Sequence, residues 1–301
     1  MTTKRVTTGA IVAGGFRAVR ERPGSAIAWG VLYLVMFVGG TLLLVRPIIR
    51  AQLAAANAGM SAQMALLGWI YLYDFAIFVL LTILFAAAVR AVLRPEEKFF
   101  FFVRLGADEL RLTGLFLILL LAYFLLFIAC AIVGALIGAL TVPADPATVA
   151  IVTIGGMLVS IFPILFFQVR LSPAAALTIL RRKIIIGEAW RLTRGHFWSL
   201  FGGYLLVWLM LLVGYLVVAG LTLGPYLTEL ARGGFTMQSL HAAGQHQVAR
   251  QLGGIDPLMA LGWIVTGLVT GLGIAIWAGA LGTATNGLLG TTEVDYAETF
   301  A

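Results

Sequence analysis

Long stretches of this chain carry no charge, and their spacing constrains the fold more than any motif does. Twenty-three uncharged residues separate Arg22 from Arg46, and between Arg50 and Arg90 the one charge is Asp74. Further uncharged stretches run Leu112–Ala144, Pro146–Val169, Gly195–Thr228 and Pro257–Thr292. A bilayer crossing takes about 20 mostly apolar residues, so each stretch holds one helix with room for its ends. The spacing predicts spans at about 25–46, 66–89, 113–139, 148–169, 198–222 and 258–286. Thr141 to Pro146, with two prolines and no cation, reads as a tight external turn between the third and fourth.

Composition agrees. Of 301 residues, 61% are of the AVILMFWYC set and 11% are charged, against about 25% charged in soluble domains. So few polar side chains could not solvate the surface of a soluble enzyme domain. The single cysteine, Cys130, lies in an apolar run, which excludes a disulfide scaffold. The expected fold is therefore all-α and polytopic: one integral membrane domain over 1–292 and an acidic, disordered tail over 293–301.

With six spans both termini share a side, and the cations say which. The N-terminal segment holds Lys4, Arg5, Arg17, Arg20 and Arg22; the second loop holds Arg90, Arg94, Lys98, Arg104 and Arg111. The fourth loop holds Arg170, Arg181, Arg182, Lys183, Arg191 and Arg194, whereas the opposite side carries only Arg46, Arg50, Arg232 and Arg250. Sixteen against four places both termini in the cytoplasm. The first apolar run is too long for a cleavable signal, so the expected home is a bacterial inner membrane.

Amphipathic segments precede the odd-numbered spans, at about 8–22, 98–111 and 184–197. In the last, Ile186, Trp190, Thr193 and Phe197 share one helical face, with Glu188, Arg191 and Arg194 on the other. This predicts a helix in the membrane interface, aromatic side chains at headgroup level. Laying Val12 on Ile186 brings Phe16, Arg17 and Arg20 onto Trp190, Arg191 and Arg194 without a gap. A weaker copy, Leu110 to Thr113, matches Trp190 to Thr193. The chain thus reads as three parallel units, each an interfacial helix and a hairpin of two spans.

Arg170-Leu-Ser-Pro173, followed by Gly187-Glu-Ala-Trp-Arg-Leu-Thr-Arg-Gly-His-Phe-Trp198, resembles a pattern in the membrane domain associated with glycerophosphoryl diester phosphodiesterases. It is similar also to uncharacterised bacterial six-span families of the YciC type. The likeness is sharp between Arg170 and Trp198 and topological elsewhere. It implies a membrane module. In those families the catalytic part, when present, is a separate soluble barrel fused after the membrane domain, and with only a short stretch after the last span here none is expected.

Chemistry is sparse. Asp74 is the one acid well inside a span, and intramembrane carboxylates mark ion or proton paths by default. The plainer expectation is an ion pair with Arg46 or Arg50, which leave the adjoining span on the same side. His241 and His246 stand five apart without a nearby carboxylate or cysteine, so no metal is expected. His196 reads as an interfacial residue and Cys130 as packing. No catalytic set, cofactor motif or nucleic-acid platform can be assembled. Gly134-x-x-x-Gly138 and Gly267-x-x-x-Gly271 have the spacing of close helix contacts, within the bundle or in a homo-oligomer. Phe235 to Leu252 could form an amphipathic helix on the outer surface.

Three functions remain open. The first is a non-enzymatic, membrane-organising or accessory protein that engages anionic phospholipid at its cytoplasmic face. Arg17, Arg20, Arg170, Arg191 and Arg194, with Trp190 and Trp198, would carry that role. The second is a transporter of a small or amphipathic solute with Asp74 as coupling acid. The third is a subunit of a larger membrane complex.

Overall fold

The computed structural model describes residues 6–54, 60–96, 100–140 and 146–299. Among them every regular element is helical: α1 (Thr8–Glu21), α2 (Pro23–Gly40), a π-helical turn (Thr41–Val45), α3 (Arg46–Ala54), α4 (Met60–Leu93) and a 3₁₀ turn (Phe100–Phe102). There follow α5 (Ala107–Leu140), α6 (Pro146–Leu171), α7 (Pro173–Arg181), α8 (Gly187–Leu192), α9 (Phe197–Arg232), α10 (Met237–Leu252) and α11 (Pro257–Thr299). Among the described residues six segments are long and apolar enough to cross a membrane: Pro23–Leu53, Leu67–Leu93, Ala107–Gly134, Ile161–Arg181, Phe197–Arg232 and Pro257–Gly290. The protein is an all-α, multi-pass membrane protein.

Several details differ from expectation. The fourth expected span, 148–169, falls inside α6, and α7 follows after one residue, burying Pro173 to Ile179. Of the segment expected over 98–111, the described residues are not helical through to α5: backbone angles are left-handed at Phe101 (φ 47°) and Phe102 (φ 63°), and α5 starts only at Ala107. Such angles cost a non-glycine residue about 1–3 kcal/mol and stop a helix. Two donors hold them here. Trp29 Nε1 donates to the Phe101 carbonyl at 3.0 Å, and the buried Arg90 Nη1 to the Phe102 carbonyl at 2.8 Å. The tail expected to be disordered continues α11 to Thr299, there being no glycine or proline after Gly290 to end it. The turn over 141–145, with Lys4, Arg5 and Lys98, lies outside the described residues.

Packing groups the chain into two compact units. One comprises Met1–Gly14, Leu105–Tyr204 and Ala280–Ala301; the other comprises Gly15–Arg104 and Leu205–Gly279. In the first, Thr8 and Ile11 of α1 lie against Gly202 and Gly203 of α9, and Val6 against Gly287. So α1 docks by its Ile11 side, leaving Phe16 exposed.

In the second unit α2 crosses α11 backbone to backbone. A Cβ on Gly30 would sit 2.5 Å from the Gly267 carbonyl oxygen, and one on Gly271 would sit 2.6 Å from the Gly30 nitrogen. The Gly267/Gly271 pair therefore packs inside the chain, whereas Gly134 meets nothing within 4 Å. Further along, α10 begins at Thr236, whose hydroxyl accepts from the Ser239 N–H at 3.1 Å, and packs on α3. The α10–α11 joint is fastened by Asp256: it accepts from Arg250 Nη2 at 2.8 Å and from the Met259 N–H at 2.7 Å. Those two donors, Arg250 first, hold its carboxyl below the ordinary range.

Two outcomes follow. Gly271→Ala should lower the Tm of the purified protein, since overpacking a tight crossing costs about 1–3 kcal/mol, while Gly134→Ala should leave it unchanged. Asp256, with a depressed folded-state pKa, stabilises the joint fully above its unfolded value of about 4. That stabilisation is lost as pH falls through the lower folded value. Hydrogen exchange at Leu258–Ala260 should thus be flat from pH 8 to 5 after correction for intrinsic rates, and rise below pH 4; in Asp256→Asn it should be raised throughout.

Candidate functional site

The fourth loop folds back on the end of α6. Helical spacing puts Phe166, Phe167 and Arg170 on one stripe of that helix. The expected single helix over 184–197 is instead a short α8 over Gly187–Leu192, a turn, and then α9 from Phe197. Gly195 takes φ +83° in that turn, a conformation that fits glycine. Thr193, wholly buried, fastens it: its Oγ1 lies 3.0 Å from the Arg170 and Ala189 carbonyls and 3.1 Å from that of Trp190. One hydroxyl proton is shared among three acceptors, so the end of α6 is tied to the end of α8.

The tie sets the aromatic residues. Phe166 meets Trp190 edge-on at 5.9 Å and Phe197 at 5.3 Å, and Phe167 meets Trp190 at 5.6 Å. Phe197 continues the cluster to Trp198 and Phe201. The guanidinium of Arg170 lies over the Trp190 ring, 4.3 Å from its centre. A desolvated contact of this kind is worth about 2 kcal/mol.

Arg170 is 8% exposed, and its Nε is covered without an acceptor. No carboxylate pairs with it among the described residues; the neighbouring charge it feels is that of Arg194, another cation. By contrast Arg181 pairs with Glu188 at 3.2 Å and Arg111 with Asp108 at 2.9 Å. A buried guanidinium normally has a carboxylate or carbonyl to donate to. Arg170 has an aromatic floor, a like-charged neighbour and donors left over. Chemically this is a seat for an anion. Arg191 and Arg194 are exposed beside it in sequence, and Trp198 is 74% exposed. The structure thus gathers Arg170, Trp190, Arg194 and Trp198 on one folded loop. Arg17 and Arg20 are exposed on α1, in residues of the other unit.

Asp74 is exposed, and neither expected partner turns to it. Arg46 directs Nη2 to Met259 Sδ at 3.5 Å and lies 5.9 Å from the Trp263 ring centre, while Arg50 donates to the Leu252 carbonyl at 2.9 Å. The ion pair is therefore replaced by contacts to α11 and to the end of α10. The neighbouring Tyr73 is buried and donates to the Phe37 carbonyl at 3.2 Å. His246 pairs with Glu229, and no metal-ligand cluster occurs among the described residues. Cys130 is half-buried.

The alignment of Val12 with Ile186 also carries Pro23, the first residue of α2, onto Phe197, the first residue of α9. In both copies a helix breaks just before the span. The middle copy lacks the break, because α5 runs unbroken through Leu110 to Thr113. No family model, curated protein or solved structure matches the chain.

Proposed function

We propose that the protein is a non-enzymatic inner-membrane protein that engages anionic phospholipid at its cytoplasmic face, in a membrane-organising or accessory role. The supporting observation is the Arg170 seat: a buried guanidinium, stacked on Trp190 and within electrostatic reach of Arg194, with no acid of the described residues paired to it. A lipid phosphate supplies both the missing charge and the missing acceptors. The cation count of the loops supports a cytoplasmic position for this end of α6, where anionic headgroups would attract each nearby cation by about 1 kcal/mol. Trp198 and the Phe197–Phe201 stack give the same loop an apolar footing at headgroup depth. The resemblance of 187–198 to the membrane domain found with glycerophosphoryl diester phosphodiesterases fits such a module, with no hydrolase activity carried over. A bacterial membrane with both termini cytoplasmic belongs to the same proposal.

Native mass spectrometry in mixed phosphatidylglycerol and phosphatidylcholine distinguishes a lipid seat from a structural arginine. Arg170→Met keeps the volume over Trp190 and removes the uncompensated charge. It should leave the Tm of delipidated protein equal or higher and weaken phosphatidylglycerol retention about fivefold, with a similar loss for Arg194→Gln. Unchanged headgroup preference in both folded variants would contradict the proposal.

A further inference from the structure

The second unit contains a cavity of about 360 Å³ between the π-helical turn, α3, α9, α10 and α11. Its wall is mainly apolar, with Phe37, Ile49, Met259 and Trp263 prominent, and two amides, Gln247 and Gln251, reach it from α10. Two cations line it. Arg250 is neutralised by Asp256 at 2.8 Å. Arg46 is not: its Nε is covered without an acceptor, Nη2 has only the thioether of Met259 at 3.5 Å, and no carboxylate lines the cavity among the described residues. A thioether is a weak acceptor, whereas a guanidinium offers five donors shaped for a carboxylate or phosphate.

The backbone is built around this cation. Arg46 follows directly on the π-helical turn over Thr41–Val45, and such insertions in a helix are frequent at functional sites. The Phe37 carbonyl in the cavity wall accepts from both Thr41 Oγ1 (2.7 Å) and Tyr73 Oη (3.2 Å), which fixes the turn that aims the arginine. Asp74 is outside the lining.

We infer that this cavity binds a single-chain anionic amphiphile, a fatty acid or a lysophospholipid, with Arg46 holding the headgroup and the Trp263–Met259 wall holding the chain. With Arg250 neutralised by Asp256 from outside the lining, one positive charge, that of Arg46, is left uncompensated, which favours a monoanion. The volume is near the lower end of the roughly 300–1,000 Å³ of small-molecule sites, room for one chain and not two. This site shares no residue with the Arg170 seat, so either can fail alone.

The test uses the full chain in phosphatidylcholine nanodiscs with three probes: dodecanoate, lauroyl lysophosphatidylglycerol and the neutral methyl dodecanoate. Dodecanoate, the lysophospholipid or both should bind saturably and about tenfold tighter than the ester, the size of one charge-assisted contact. Which of the two binds tells the source of the headgroup. Arg46→Gln should abolish the preference without changing affinity for the ester. Should that variant not fold, a diazirine analogue of dodecanoate on the unaltered protein gives the answer. Labelling at 45–49, 221–223 or 259–266, competed by dodecanoate, supports the site. Equal binding of acid and ester, a preference retained in folded Arg46→Gln, or labelling confined to other segments would overturn it.

Discussion

A guanidinium taken out of water must be given a carbonyl, an aromatic face or an anion, and the arginines at the ends of these helices show each solution. Arg90 takes the carbonyl of Phe102, and Arg22 lies 4.8 Å from the centre of the Phe102 ring. Arg46 and Arg170 have aromatic faces, Trp263 and Trp190, but donors remain without acceptors. The first pair closes a strained loop and is structural. The Nε of Arg90 also lacks an acceptor, but Arg90 donates to a carbonyl, whereas neither Arg46 nor Arg170 donates to a carbonyl or carboxylate among the described residues, and both functional readings rest on that difference.

Helical geometry explains how the incompleteness is maintained. Thr193 fixes the Arg170 carbonyl, and Phe166 and Phe197 fix Trp190, so the guanidinium cannot turn away to solvent without breaking packed contacts. In the other unit the π-helical turn and the Tyr73 hydroxyl do the same for Arg46. Backbone-close crossings such as Gly30 on Gly267 leave little freedom for these helices to adjust. An arginine held in place without its counter-ion is preorganised for one that arrives from outside.

The spans were legible because hydrocarbon tolerates few charges, and arginine spacing alone located six apolar helices. The loops were less legible. Amphipathic periodicity over 184–197 suggested one helix, but the Thr193 hydroxyl and Gly195 end it after Leu192, an outcome set by tertiary hydrogen bonds that no periodicity records. Around Arg170 a signal did exist: Phe166, Phe167 and Arg170 share a helical stripe. What it lacked was the partner, Trp190, which belongs to another helix. Asp74 drew attention as the lone intramembrane acid, yet nearness of Arg46 in topology did not make a pair, because Trp263 and Met259 on a distant helix took the arginine instead.

Arg170, on this reading, awaits an anion that the described residues do not supply. An electron-density or cryo-electron map of the protein in phosphatidylglycerol nanodiscs tests it most directly. The account predicts a phosphate within hydrogen-bonding distance of the Arg170 guanidinium while the side chain stays stacked on Trp190. An Arg170 turned off Trp190 onto a carboxylate of the chain, with no headgroup beside it, would contradict the account.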